Sequence, residues 1–260
     1  MSVIAHTTDL SGDDAAAFAH AVALATRRGA KLFSVHACTG PAPERDFPDA
    51  GRLLRSWQPE REPIAHEAML HQCCDDVTDT LLDALRRVSP ELVVTATHGR
   101  SGVARILSES VAQSVARNVN VPTLIVPLGG DGFVDPASGA IRLGRVLVPV
   151  GNADDAERGL RAAIWLLELA AVRDAEIVLL HVDDGTPMPA VTVPEGVATR
   201  LRLAQGALED AIADAAKSER ACVIVMATHG HDSMTDVLFG SHTERVLATA
   251  GCPILSVPVP

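Results

Sequence analysis

Leu92-Val93-Val94-Thr95-Ala96-Thr97-His98-Gly99 returns 131 residues later as Val223-Ile224-Val225-Met226-Ala227-Thr228-His229-Gly230. Each apolar run reads as a buried strand. Each Thr-His-Gly reads as the tight turn leaving the strand's C-terminal end, where glycine supplies a positive φ. Ligands of open α/β sheets bind at that edge. The repeat therefore indicates both an architecture and the place to look for chemistry.

Working outward from the first copy, the pattern predicts a strand over 3–8, a turn at Asp9-Leu10-Ser11-Gly12 and a helix over 13–28 stopped by Gly29. A strand over 31–38 follows, then a loop rich in Pro and charge over 39–63 with one short helix around Leu53-Leu54. An edge strand over 66–71 precedes a helix over 75–88, with Leu81, Leu82 and Leu85 on one face and Ser89-Pro90 as its break. The quoted strand over 92–96, a helix over 108–118 and a strand over 123–127 complete the unit. Gly129, Gly130, Gly132, Pro136 and Gly139 give the next stretch linker composition.

The pattern then restarts. Strands over 145–150 and 176–182 flank a helix over 153–173, an edge strand over 199–204 precedes a helix over 208–217, and Cys252-Pro253-Ile254-Leu255-Ser256-Val257 closes the chain as Val121-Pro122-Thr123-Leu124-Ile125-Val126 closed the first half. The expected organisation is a unit over 1–128, a linker over 129–143 and a second unit over 144–260. Alternating strands and helices imply parallel sheets with right-handed crossovers.

The chain has 260 residues, enough for two ordinary cores. Its aromatic content is 3%, with no Tyr, so those cores must be aliphatic, and the composition argues against base-stacking platforms for single-stranded nucleic acid. A net charge of −11 without clustered Lys and Arg disfavours phosphate-backbone binding. Five cysteines, Cys38, Cys73, Cys74, Cys222 and Cys252, lack metal-type spacing. That odd count, and a strand beginning at Val3-Ile4 with no charged region before an apolar stretch, lead us to expect a cytoplasmic protein without a signal peptide. The Ala-rich stretch over 15–25 is too short for a membrane span.

With these elements placed, both halves resemble the universal stress protein family in a tandem arrangement. The resemblance implies two flavodoxin-like (Rossmann-like, adenine nucleotide alpha hydrolase-like) α/β domains. Each would have a mostly parallel five-stranded sheet flanked by helices. It also implies ATP or AMP as ligand, with Mg²⁺ accompanying a triphosphate mainly through phosphate oxygens and water. Closing strands in the family pair to form a dimer or, in tandem chains, an internal pseudo-dimer.

The family's nucleotide pattern is Gly-x-x-Gly, nine residues, then Gly-Ser or Gly-Thr, with an Asp at the end of the first strand. Glycine turns let backbone N–H groups approach phosphate, and a helix N-terminus adds partial positive charge. The second half reads Ala227-Thr228-His229-Gly230, nine residues over 231–239, then Gly240-Ser241. Ala227 replaces the first glycine, and its methyl crowds backbone meant to face a ligand. Gly151 stands where the Asp belongs, after Pro149-Val150. The resemblance implies phosphates at Gly230, Gly240 and Ser241, close to His242 and Thr243. Adenine would lie near Pro149, Val150 and Val182, with Gly151, Met226, Ala227 and His229 completing the set.

The first half has the opposite profile. Thr7-Thr8-Asp9 keeps the Asp, yet Ala96 replaces the first glycine before Gly99, and Glu109-Ser110 stands at the Gly-Ser position. Two unit charges 4 Å apart interact by about 4 kcal/mol at an effective dielectric of 20. A carboxylate at Glu109 facing a triphosphate therefore opposes binding, unless solvent or Arg105 screens it. Thr7, Thr8, Asp9, Gly99 and Ser110 are the candidate contacts of this half, the second half being the better candidate.

Plainer roles stand beside these. Asp9 contacts adenosine or caps the following helix, two roles that are compatible. His36 and His181 read as satisfied core histidines rather than metal ligands, and no metal site is expected even at the densest group, His229, His231 and His242. Ser101, Ser110, Ser233 and Ser241 lie in no Gly-x-Ser-x-Gly elbow and read as helix caps. The family resemblance implies a small-molecule-responsive stress or signalling module and no enzyme. Two other classes stay open: an interaction protein that binds no nucleotide, and a slow ATPase. The ATPase ranks last because the chain lacks a Walker motif and a placed general base.

Overall fold

The computed structural model describes residues 1–39, 46–73, 76–97, 111–129, 132–183, 185–229, 245–247 and 249–259. The first half runs β1 (Val3–Thr7), α1 (Ala15–Arg28), β2 (Lys31–Thr39), α2 (Ala50–Trp57), β3 (His66–Cys73), α3 (Val77–Val88), β4 (Leu92–Thr97), α4 (Val111–Asn118) and β5 (Thr123–Pro127). The second runs β6 (Arg145–Pro149), α5 (Ala153–Leu169), β7 (Glu176–Asp183), β8 (Thr199–Gln205), α6 (Leu208–Glu219), β9 (Val223–His229) and β10 (Ile254–Val259).

The strands form a single ten-stranded sheet in the order β3-β2-β1-β4-β5-β10-β9-β6-β7-β8. Read from the middle outward, both halves follow the same order. Every pairing within a half is parallel, and the two halves meet through the antiparallel pair β5 and β10, with Ile125 opposite Ile254, Leu124 opposite Leu255 and Thr123 opposite Ser256. The closing strands thus satisfy each other inside the chain.

Local chemistry sets the helix limits. Gly29 ends α1 in the left-handed region and bonds back to Ala25 O, with Arg27 and Arg28 in the last turn complementing the helix dipole. Asp76 caps α3 by accepting from Thr78 N and Asp79 N, and Asn152 caps α5 by accepting from Asp155 N. The helix expected to reach residue 173 stops at Leu169. Ala171 turns left-handed at φ 55° without being glycine, and the Ala171 and Val172 amides bond back to Glu168 O and Leu167 O.

Aliphatic side chains fill both faces of the central strands, as a helix-covered parallel sheet requires. On the α1 and α5 face one continuous cluster joins the halves, including Leu24, Leu32, Val94, Leu124, Phe133, Leu143, Val148, Leu166 and Leu255. On the opposite face the core divides in two. One cluster contains Leu81, Leu82 and Leu85, and the other contains Leu147, Ile212 and Ile224.

The connector between halves is packed against the first half. Val134 bridges Ile141, and Arg142 N donates to Phe133 O at 2.6 Å, forming a tight hairpin. The Phe133 and Val134 amides both donate to His20 Nε2 on α1, at 3.0 and 3.2 Å. Trp57 Nε1 donates to Pro136 O at 2.9 Å. Glycine is required twice: a Cβ on Gly132 would overlap the His20 ring, and one on Gly139, at φ 68°, would overlap Trp57.

Candidate functional site

The topology creates two crevices. β1 pairs with β2 on one side and β4 on the other, and its ladder with β4 covers Ile4–Leu92, Ala5–Val93 and His6–Val94. β6 is placed likewise between β7 and β9, its ladder with β9 covering Val146–Val223 and Leu147–Ile224. At each place the crossover direction reverses, and the C-terminal ends of the two strands run past the last paired residues. Such switch points hold ligands in open α/β sheets.

At the first crevice the strand ends are tied to each other and to the neighbouring strand. Thr7 Oγ1 donates to Thr95 Oγ1 at 2.8 Å, Thr8 N donates to Val35 O at 3.0 Å, and His36 Nδ1 donates to Thr8 O at 2.7 Å. Thr8 Oγ1 accepts from Leu10 N at 2.9 Å, holding buried Leu10 at φ 59°, a conformation unfavourable for a branched side chain. Asp9 is exposed, and its Oδ1 accepts from Ser11 N at 2.8 Å. That bond belongs to the turn. The N-cap position of α1 falls at Asp14, so Asp9 is not the N-cap residue of that helix.

At the second crevice Val150 N donates to Leu180 O at 2.8 Å, and His181 Nδ1 donates to Val150 O at 3.0 Å. Pro149, Val182, Met226 and Ala227 are half-buried around this strand end. Gly151 is exposed, carries no positive φ and, among the described residues, has no neighbour that an added Cβ would meet within 4 Å. Nothing in the backbone demands glycine there.

The universal stress protein family model matches residues 2–127, 143–205 and 190–258. The chain belongs to the universal stress protein family. A universal stress protein of Mycobacterium tuberculosis is 27% identical over 182 residues, covering 64% of this chain and 61% of the relative. This chain therefore spans about three fifths of the length of its mycobacterial relatives. A universal stress protein of Methanocaldococcus jannaschii is 27% identical over 143 residues, 45% of this chain and 82% of the relative. Among solved structures, a universal stress protein from Archaeoglobus fulgidus superposes with a TM-score of 0.64 at 17% identity, covering 98% of this chain and 96% of that one. A putative universal stress protein from Pseudomonas aeruginosa gives 0.64 at 17% identity, covering 99% and 92%. These two likenesses show the tandem fold.

Within that universal stress protein fold, Thr7, Thr8 and Asp9 lie at one crevice. Pro149, Val150, Gly151, Met226, Ala227 and the backbone of His229 lie at the other, with Val182 at the end of neighbouring β7. Gly99, Ser110, Gly230, Gly240, Ser241, His242 and Thr243 lie outside the described residues, as do the adjacent Cys74 and the side chain of Cys73. No group of three or more His, Cys, Asp or Glu residues able to hold a metal occurs among the described residues.

One polar cluster beside the first crevice was not singled out by its sequence. His6, on β1, is fully buried, with Nε2 3.6 Å from Asp14 Oδ2. Burial, reinforced by nearby His66, pushes the His6 imidazole down to about 3, so the close approach is no ion pair at neutral pH. Burial also raises the Asp14 carboxyl, opposed by its bond to Thr8. A histidine inside the apolar run Val3-Ile4-Ala5-His6, eight residues before an aspartate at a helix start, was the available signal.

Proposed function

We propose that this universal stress protein is a cytoplasmic, non-catalytic stress-response module whose second-half crevice binds ATP or AMP. The observation carrying this reading is the parting of β6 and β9 beyond Leu147 and Ile224, with half-buried apolar side chains around the Val150 turn. That surface suits a purine face. The family phosphate spacing at Gly230, Gly240 and Ser241 belongs to the same half. Mg²⁺ would arrive with a triphosphate, held by phosphate oxygens and water. The first half retains Asp9 but carries Glu109 in place of glycine, so its affinity is the lower. The repeated units are 1–128 and 144–260, joined by 129–143, and they form an internal pseudo-dimer. Among the described residues no helix is long and apolar enough to cross a membrane. Thermal denaturation with and without millimolar AMP, ADP and ATP tests the proposal, since a ligand binding only the folded state raises the midpoint.

A second reading, an interaction protein that binds no nucleotide, is favoured by edge strand β8. Leu201 is 50% exposed and Leu203 66% exposed on a strand that, among the described residues, is paired on one side only. Exposed apolar edges are pairing surfaces unless shielded. Unchanged melting with every nucleotide would select this reading, and a homodimer would then use β3 or β8, because β5 and β10 occupy each other.

A further inference from the structure

A groove separate from both crevices opens where α5 faces the first half. Arg158, Arg161 and Trp165 line it with Glu91, Pro122 and Pro258, around a volume of about 360 Å³. That lies within the range of small-molecule sites, about 300–1,000 Å³. Its charges are not balanced. Glu91 is held by Arg28 at 3.1 Å, and Arg161 is held by Glu157 at 2.7 Å. Half-buried Arg158 has no carboxylate partner among the described residues. In a chain of net charge −11, this leaves one guanidinium uncompensated beside an indole and two prolines.

The pseudo-symmetric counterpart indicates what such a place accepts. Counting back from Gly29 and Ala171, the left-handed residues after the two helices, Arg158, Arg161, Ala162 and Trp165 correspond to Ala16, Ala19, His20 and Ala23 of α1. On α1 this face is already covered. The Phe133 ring meets the His20 ring edge-on, with centroids 4.5 Å apart, and the Phe133 and Val134 amides donate to His20 Nε2. There the chain supplies an aromatic ring and polar donors, and the helix supplies the acceptor. On α5 the polarity is reversed, because the helix supplies a guanidinium donor.

We propose that the α5 groove binds a free aromatic carboxylate, with the carboxylate on Arg158 and the ring packed against Trp165 and the flanking prolines. Guanidinium–carboxylate pairs are charge-assisted and can be bidentate, and an indole face adds planar apolar contact. The groove shares no residue with the proposed nucleotide contacts, so the two readings stand or fall separately.

The chain has two tryptophans, Trp57 and Trp165, hence two indole N–H signals in a ¹H–¹⁵N spectrum of the full protein, assigned by Trp57→Phe. Titration with 2-naphthoate is expected to move the Trp165 signal saturably and leave Trp57 in place. The uncharged 2-naphthamide, of similar shape, is expected to bind about tenfold more weakly or worse, and Arg158→Gln to weaken naphthoate by a similar factor. A stationary Trp165 signal, equal binding of acid and amide, or unchanged affinity in folded Arg158→Gln would overturn the proposal. So would displacement of naphthoate by millimolar AMP, which would make groove and crevice one site. The acid–amide comparison needs no variant and decides the matter if Arg158→Gln does not fold.

Discussion

His36 and His181 make the same bond in the two halves. Each donates from Nδ1 to the carbonyl that follows the first strand of its half, Thr8 O at 2.7 Å and Val150 O at 3.0 Å. Both rings are buried, and each fixes the turn beside a crevice. Replacing either histidine with alanine strands a carbonyl at the strand end. A loss of about 1–3 kcal/mol is expected for each. Urea denaturation of the two variants checks this, and a null effect in one half would deny the equivalence.

The connector gives a second test. Gly132→Ala places a methyl against the His20 ring, and overpacking of this kind costs about 1–3 kcal/mol. Gly144→Ala meets nothing within 4 Å among the described residues and has no positive φ, so it should stay within about 0.5 kcal/mol of the parent. Matched melting curves would separate a packed connector from a loose one.

Acid should destabilise the protein before its carboxylates are exhausted. Burial holds His20 at about 4 and His6 at about 3, against 6.5 for a free side chain. Below 6.5 the unfolded chain therefore binds more protons than the fold. The stabilisation from these neutral rings is complete above 6.5 and drains away as pH falls towards 4 for His20 and 3 for His6. Asp14 acts in the opposite sense, since burial raises its carboxyl and favours its acid form. His20→Gln keeps an acceptor for the connector amides but cannot titrate. Its melting temperature should fall less steeply than the parent's over pH 6.5 to 4. An unchanged slope would remove His20 from the explanation.

The repeat, the positions of the strands and the end of α1 were legible because their causes are local. Apolar runs announce strands, Gly29 announces a helix end, and Leu81, Leu82 and Leu85 announce a buried face, as found. The end of α5 was not legible, because Ala171 takes the left-handed turn without glycine. Nor was the packing of the connector: Gly132 and Gly139 look like freedom in the sequence, yet they are there to clear His20 and Trp57. Contacts spanning more than a hundred residues, such as His20 with Phe133, leave no periodic trace. At the candidate site, the positions of Asp9 and Gly151 at equivalent strand ends were legible, whereas the buried His6–Asp14 approach was hidden in an apolar run.

Gly151→Asp would restore an acidic residue at the second strand end. Open space among the described residues and an ordinary backbone predict a stability change within about 0.5 kcal/mol. If adenosine is held at this turn, AMP affinity should rise, as calorimetric titration would show. Stable folding with unaltered affinity would place the ligand elsewhere.

Equilibrium dialysis of the full chain against labelled AMP and ATP, beside Gly240→Glu, measures most directly whether the second crevice is a nucleotide site. The expected result is saturable uptake by the parent, abolished in a Gly240→Glu protein that melts at the parental temperature. No uptake at millimolar nucleotide, or uptake indifferent to Gly240→Glu, would contradict it.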